Sequence, residues 1–520
     1  LILLLPPFVW DSLTYHLTNV AHWTQVGRIE LFTTSVNRIY NPANFEVLTS
    51  WFTLFLHHDV VIEAAGLPVY VLGLAAVYAI GRRLDLSPSS SLMAALAYGS
   101  TPAVLLATTG TKNDPHVAAY YLSALAIVLH LARRERDEQH NSAFNIIGLW
   151  LSLTLIILLA IGTKTYILHL TPGLALIGLI AGWRAGGLKV WARSLGDAFA
   201  HFRSHRRAIR FLIVLLILAG LMLGGYWNVR NWILKGNPFY PYGVALERQE
   251  IISGEKATLP LSFSRMIRNL ESLVFKFGDK QARITPDLTD TTGWGWFVYS
   301  LGIPALLWAI LRKPRMRMIA LGFILSLLLL FLSDRPSPWN MRYTIWFSAL
   351  FGIAYAALQD SMMRSAGIAR PIMHTLFTLC LALNVLMMLN YGKVSVERFE
   401  VMLHRPILHR ESASLKLNIP SEYENAIDFV PKDEILGYNL HGNGFIYPLY
   451  RSDFSQKLVY VPLSSNDTCE QVAQKMRDHG TRWLFVAPEH SPDPNIALLR
   501  MCSDSDTTIR ERARGLYVTE

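Results

Sequence analysis

Asp11 stands where an apolar run meets a turn of mixed aromatic and polar residues, Trp10-Asp11-Ser12-Leu13-Thr14-Tyr15-His16-Leu17. A carboxylate at a water–lipid boundary can take a proton from an approaching hydroxyl, and desolvation beside Trp10 and Tyr15 is expected to raise its basicity. Asp11 also has an ordinary use, as the N-cap of a helix beginning at Ser12. Farther along the chain, residues of matching chemistry recur in short polar stretches between apolar runs: Lys112, Asn113, Asp114 and His116; Lys164 and Tyr166; Arg335, Arg342 and Tyr343. Each again has a plain alternative. Lys164 can snorkel to an interface, Asp114 before Pro115 can cap the next helix, and Arg342 can anchor a helix end. Glu46 supplies a further carboxylate in the same stretch as Tyr15 and His16. The three cysteines form no metal framework with histidine, and the adjacent pair His57-His58 is poorly spaced for a helical metal site. No metal ligands are assigned.

The elements that must position these residues are membrane helices. Of the 520 residues 52% are hydrophobic and 17% charged, whereas soluble domains carry about 25% charged residues. Runs long enough to cross a hydrocarbon core, which takes about 20 residues, fall at 60–80, 90–108, 116–132, 145–161, 166–183, 211–228, 294–311, 318–333, 342–358 and 371–390. The opening run Leu1–Val9 is about half a span, so the chain is expected to start inside its first helix. That makes about eleven spans, the first truncated.

The net charge of +10 does not argue for nucleic acid, because the cations sit in short loops between spans and so report topology. Arg82-Arg83, Arg133-Arg134-Arg136, the stretch 184–210, Arg312-Lys313-Arg315-Arg317, Arg364 and Arg370 alternate with the spans as cytoplasmic loops should. The loops 10–59 and 229–293, the turns near 108–116 and 334–341, the segment after Thr163 and the C-terminus are then extracytoplasmic. All of the candidate residues fall on that one face. Ser12 to Gly27 and Phe45 to His57 read as helices lying in the interface.

From about Lys393 the composition changes to short apolar runs with turn clusters. Residues 1–392 are expected to form the transmembrane unit and 393–520 a small extracytoplasmic α/β domain. A helix is expected at Ser421–Val430. Strands are expected at Ile435–Tyr438, Phe445–Tyr447, Leu458–Val461 and Trp483–Val486, with an amphipathic helix from Cys469 to His479. Whether Cys469 pairs with Cys502 is open, because sequence separation says nothing of proximity. The domain has no glycine-rich phosphate loop and no paired carboxylates, which favours binding or support over catalysis.

Carboxylates and cations gathered at one membrane face suit the transfer of a sugar from a lipid phosphate to a hydroxyl. The reaction needs a base for the acceptor proton and cations for the charge growing on the departing phosphate. If Lys and Arg accept that charge, no cofactor is obligatory, and a divalent metal is an open option.

At these residues the chain resembles the polytopic GT-C glycosyltransferases, in particular the group of glycosyltransferase family 39, the protein O-mannosyltransferases and the aminoarabinose transferases. Trp10–Leu17 is similar to their first-loop motif, whose aspartate is the proposed base. Thr111-Lys112-Asn113-Asp114 occupies the place of their second-loop acid, and Ile161-Gly162-Thr163-Lys164 resembles the motif whose lysine meets the lipid phosphate. Gly236-Asn237-Pro238-Phe239-Tyr240-Pro241 looks like a loop of the bacterial members, and Met341-Arg342-Tyr343 like the Arg-Tyr opening a late helix. Several relatives carry Asp-Glu in the first loop where this chain has Asp11-Ser12, so a second carboxylate must come from Asp114 or Glu46.

The resemblance implies a hexosyl- or pentosyltransferase of the inner or plasma membrane, taking a sugar from a polyprenyl phosphate and inverting the anomeric centre. The acceptor would be a glycan, lipid or protein hydroxyl outside the cytoplasm. Asp11 would be the base, Asp114 the second carboxylate, and Lys164, Arg342 and Tyr343 the donor-phosphate site. Tyr15, His16, Glu46, Lys112 and His116 complete the candidates. The 229–293 loop is expected over the acceptor groove. The rival readings are a transporter or flippase of lipid-linked sugars, a polysaccharide ligase using a lipid diphosphate, and an inactive scaffold. A transporter would be expected to show internal repeats, and none is evident.

Overall fold

The computed structural model describes residue 7 and residues 9–133, 143–246, 249–254, 262–275, 293–333, 338–362, 369–390, 422–440, 444–486, 494–504 and 509–519. The expected boundary at 392/393, Arg134, Arg136, Arg335, Arg364 and much of the 229–293 loop lie outside these residues.

The chain is a multi-pass membrane protein. Among the described residues seven helices are long and apolar enough to cross a bilayer, and a bent pair makes an eighth span if counted as one. They run from 18 residues in Gly295–Arg312 to 29 in Arg207–Lys235. The longest measures about 43 Å at 1.5 Å per residue and shows apolar side chains such as Phe211, Leu218 and Met222 to its surroundings. By contrast Asp114–Arg133 is buried along most of its length and forms the middle of the bundle. Ile167–Gly186 and Pro314–Ser333 cross in backbone contact, since a Cβ at Gly173 would lie 2.1 Å from the Gly322 carbonyl oxygen. Small residues allow such an approach where lipid gives helices no hydrophobic reason to associate. Ser326 Oγ donates to the Leu170 carbonyl at 2.9 Å in the same contact.

Several elements differ from the sequence reading. The expected span 90–108 is two helices, Pro88–Gly99 and Pro102–Thr108, bent by 65°. Pro102 has no N–H to continue the ladder, and its ring disfavours a helical residue before it. The span expected at 342–358 begins as a 3-10 helix, Pro338–Phe347, and becomes α-helical at Ser348–Met362.

The stretch after Asp11 is buried by protein instead of turning its apolar face outward. A π-helical turn at Ser12–His16 continues as Leu17–Val26, and Leu13, Leu17, Val20 and Ala21 are fully buried. In the second stretch only Asn44–Ser50 is α-helical, and Trp51 and Phe55 beyond it are exposed.

What covers the first stretch is the C-terminal domain. A hairpin, β1 (Val244–Leu246) and β2 (Gln249–Ile252), precedes it in the chain. Its own five strands are β3 (Ile435–Tyr438), β4 (Lys457–Tyr460), β5 (Trp483–Phe485), β6 (Ile509–Ala513) and β7 (Leu516–Thr519), in the order β4-β3-β5-β7-β6. β3 lies parallel to β4 and β5, while β7 is antiparallel to β5 and β6. Among the described residues helices Glu422–Phe429, Cys469–Asp478 and Pro494–Asp504 accompany the sheet. The second of these starts in a capping box between Thr468 and Gln471. Cys469 and Cys502 are joined in a disulfide.

The strand expected at Phe445–Tyr447 is absent. Tyr447–Tyr450 is instead a 3-10 turn around Pro448, which cannot donate to a ladder. Its aromatic and aliphatic side chains pack in one core with Leu13, Tyr15, Leu17 and Val20. Phe445 meets the Trp10 ring edge-on at 4.6 Å. Tyr447 donates its hydroxyl to Asp59 at 2.8 Å, and Gln25 donates to the carbonyls of Phe454 and Gln456 at 2.6 and 2.7 Å. The domain thereby holds the Asp11 segment in place from one side.

Candidate active site

Asp11 does not cap a helix. Its own backbone is helical and its side chain makes no capping bond. The carboxylate instead receives the Arg342 guanidinium on Oδ2, and Arg38 approaches Oδ1 at 3.4 Å. Arg342 Nε lies 3.8 Å from Asp114 Oδ2, so one guanidinium sits between two carboxylates 103 positions apart in sequence. Lys164 Nζ donates to Asp114 Oδ1 at 2.6 Å and to Asn113 Oδ1 at 2.9 Å. Its ammonium is thus held by two named partners. Tyr343 forms the floor, with Lys164 Nζ 4.7 Å and the Arg342 guanidinium 5.0 Å from its ring centroid. Arg342 also donates to the Tyr343 hydroxyl at 3.1 Å, and the Tyr166 ring packs against Tyr343 at 5.2 Å.

Local structure explains how the two loops meet. Ser12 Oγ lies 2.9 Å from the carbonyl oxygens of both Gly110 and Thr111. Ser12 thereby ties the first loop to the second. Thr111 is in the left-handed region, at φ 48°, and the chain turns there into the Asp114–Arg133 helix. That helix places Asp114 in its first turn, beside the partial positive charge of its N-terminus. The 3-10 winding of Pro338–Phe347 carries Arg342 and Tyr343 as neighbours into the same space.

Solved structures match the fold. ArnT from Cupriavidus metallidurans in the apo state is 14% identical, with 100% of this chain and 94% of that one covered and a TM-score of 0.56.

The chain has the GT-C fold.

ArnT bound to undecaprenyl phosphate matches at 13% identity over 100% of this chain and 95% of its own, with a TM-score of 0.51. The apo Archaeoglobus fulgidus oligosaccharyltransferase is 12% identical over 92% of this chain, at a TM-score of 0.45, and this chain covers 65% of its length. No family model and no curated protein matches.

Within this GT-C fold Asp11, Asp114, Lys164, Arg342 and Tyr343 form one cluster. Lys112 is buried close enough for its charge to act on both aspartates. Glu46 does not join them. It holds a separate buried pair with His16 (Nδ1 to Oε1 2.6 Å), next to the Tyr15 ring. His116 packs against the Phe45 ring at 4.9 Å, and the same ring meets His16 at 5.0 Å. Of the two candidates for the second carboxylate, the geometry brings up Asp114.

Arg38 is a further member, absent from the residues singled out in the sequence. Its signal was present: Arg28 and Arg38 are the two Lys/Arg residues in the whole of 10–59.

The expected rise in the basicity of Asp11 is reversed. Burial pushes its pKa up, but the charges of Arg342, Lys112, His16 and Arg38 outweigh burial and hold the carboxyl well below the usual range. A depressed carboxyl contributes stability that is present above its unfolded value of about 3.9 and is lost as pH falls toward the folded one. Wild type and Asp11→Asn should therefore differ in thermal stability by a constant amount above about pH 5, and the gap should begin to narrow below about pH 4 and go on narrowing as the pH falls further. A gap that persists or widens in acid would contradict the pairing.

Among the described residues Arg342, Lys164, Lys112 and Arg38 all act on Asp11 or Asp114, a concentration of positive charge that suits an anionic ligand. Among the described residues no group of three or more His, Cys, Asp or Glu is placed to hold a metal. Both aspartates are already engaged by cations.

Proposed function

We propose that the protein is a membrane glycosyltransferase that moves a hexose or pentose from a polyprenyl phosphate to a hydroxyl on the extracytoplasmic face. The observation that carries this reading is the Arg342 guanidinium held between Asp11 and Asp114, with Lys164 on the outer oxygen of Asp114. The ArnT structure with undecaprenyl phosphate supports a polyprenyl phosphate as the lipid. In the proposed displacement the acceptor oxygen bonds to the anomeric carbon from the face opposite the phosphate. Its proton passes to Asp11. The bond from that carbon to the phosphate oxygen breaks, and the departing lipid phosphate gains a negative charge.

Lys164 and Arg342 would receive that charge, where charge-assisted hydrogen bonds are strongest. Arg342 also blocks Asp11 as long as no phosphate is bound. A donor phosphate that draws the guanidinium away would return the carboxylate toward its ordinary basicity, so donor is expected to bind before the proton moves. The direct test incubates the full-length protein with a panel of polyprenyl-phosphate sugars and looks for released lipid phosphate. Release with none of them, in the presence of mixed envelope acceptors, would reject the reading.

Orientation can be checked separately. Cysteines introduced at Gly278 and at Gly196 should be labelled and unlabelled, respectively, by an impermeant thiol reagent on intact cells. Background is low, because Cys380 is buried and Cys469 is bonded to Cys502. The reverse pattern would put the cluster on the cytoplasmic face and exclude an extracytoplasmic acceptor.

A further inference from the structure

A second basic site lies at the other end of the same helices. The 20-residue Asp114–Arg133 helix begins in the aspartate cluster and ends at a cavity of about 630 Å³. The Ile167–Gly186 helix runs the same way, from just after Lys164 to Arg184. Twenty residues rise roughly 30 Å, the thickness of a bilayer's hydrocarbon core. The two sites therefore face opposite leaflets.

The cavity is lined by Arg83, Arg133, Arg184, Lys313 and Arg315, against two acids. One acid, Asp85, is shared by Arg133 and Arg315. The other, Asp360, accepts from the Ser87 N–H at 3.1 Å and the Ser90 hydroxyl at 3.3 Å. Arg184 donates to the Pro314 carbonyl at 3.1 Å, and Lys313 lies 5.7 Å from the Trp308 ring centroid. Neither of these two has a carboxylate partner among the described residues. The remaining walls are alanine, leucine, methionine and proline side chains.

We propose that this cavity seats the phosphate headgroup of an anionic phospholipid from the leaflet opposite the aspartate cluster. The surplus cations select a negative headgroup, and basic pockets between membrane helices commonly do so. The apolar walls are what distinguish a lipid from a free anion, since inorganic phosphate gains nothing from alanine and methionine. The size suits a headgroup with the first part of its chains, within the usual range of small-molecule pockets.

The test uses the full chain in detergent, titrated with phosphatidylglycerol, phosphatidylcholine or inorganic phosphate. Retained lipid is counted by native mass spectrometry and thermal stability is followed in parallel. Wild type should retain phosphatidylglycerol in preference to phosphatidylcholine. Arg184→Gln with Lys313→Gln should reduce that preference on the order of tenfold, at about one cation's attraction each. Lys164→Ala should keep it, because that lysine belongs to the other face. If the double variant does not fold, Arg184→Gln alone, at an exposed side chain, should show a partial loss. Equal retention of the two lipids overturns the proposal, as does an unchanged preference in the variants. A preference abolished by Lys164→Ala, or stabilisation by inorganic phosphate matching that of phosphatidylglycerol, also overturns it.

Discussion

Asp11→Asn is expected to lower sugar transfer by roughly 10²–10⁴-fold, the usual worth of a general base, while donor still binds. Asn keeps the size of the side chain and cannot take the acceptor proton. The effect on donor affinity is the sharper part. In the wild type Arg342 is engaged by the Asp11 carboxylate, so a phosphate must compete for it. With Asn at position 11 that competition is removed, and donor should bind at least as tightly as before. The variant loses a buried partner of Arg342, but Asp114 remains 3.8 Å from the guanidinium, which limits the penalty of an uncompensated buried charge. Single-turnover transfer and donor titration read the two quantities separately. Near-normal transfer would move the base to Asp114 or Glu46, and near-normal transfer in a triple variant of all three would end the enzyme reading.

The second large effect is on the donor phosphate. Lys164→Ala should weaken donor binding roughly 10- to 100-fold, since a hydrogen bond to a charged group contributes about 1.5–3 kcal/mol. The lysine holds Asp114 and Asn113 and stacks over Tyr343. Loss of these contacts should be visible as lower thermal stability, so folding is monitored alongside. Arg342→Lys is the companion variant. It keeps the charge between the two aspartates but loses the planar fork that can hold a carboxylate and a phosphate together. Transfer should fall while the protein stays folded. Donor affinity and turnover unchanged in both variants would mean that these cations serve only to anchor helix ends.

The membrane class and the grouping of Asp11, Asp114, Lys164 and Arg342 were legible in the sequence, because each depends on local features. An apolar run of a given length reports a span wherever it packs, and loop cations report sidedness without any tertiary contact. The break in the 90–108 run was written there too, in Pro102. The amphipathic Cys469–Asp478 helix and the β3, β4 and β5 strands carried their own periodicity.

What the sequence alone left open was every relation between distant positions. That Arg342 rather than solvent meets Asp11, 331 positions away, depends on how the 3-10 segment is wound and on what packs behind it. The same holds for the choice of Asp114 over Glu46 as the second carboxylate, which follows from Ser12 binding the Gly110 and Thr111 carbonyls and from His16 taking Glu46. The burial of Ser12–Val26 was misread for a related reason: an apolar face covered by another domain has the same sequence pattern as one lying in lipid. The Cys469–Cys502 bond depends on two helices being brought side by side. The direction of the Asp11 shift was decided last and only in three dimensions. Burial and nearby cations push a carboxyl in opposite directions, and which of them prevails depends on distances that no linear pattern contains.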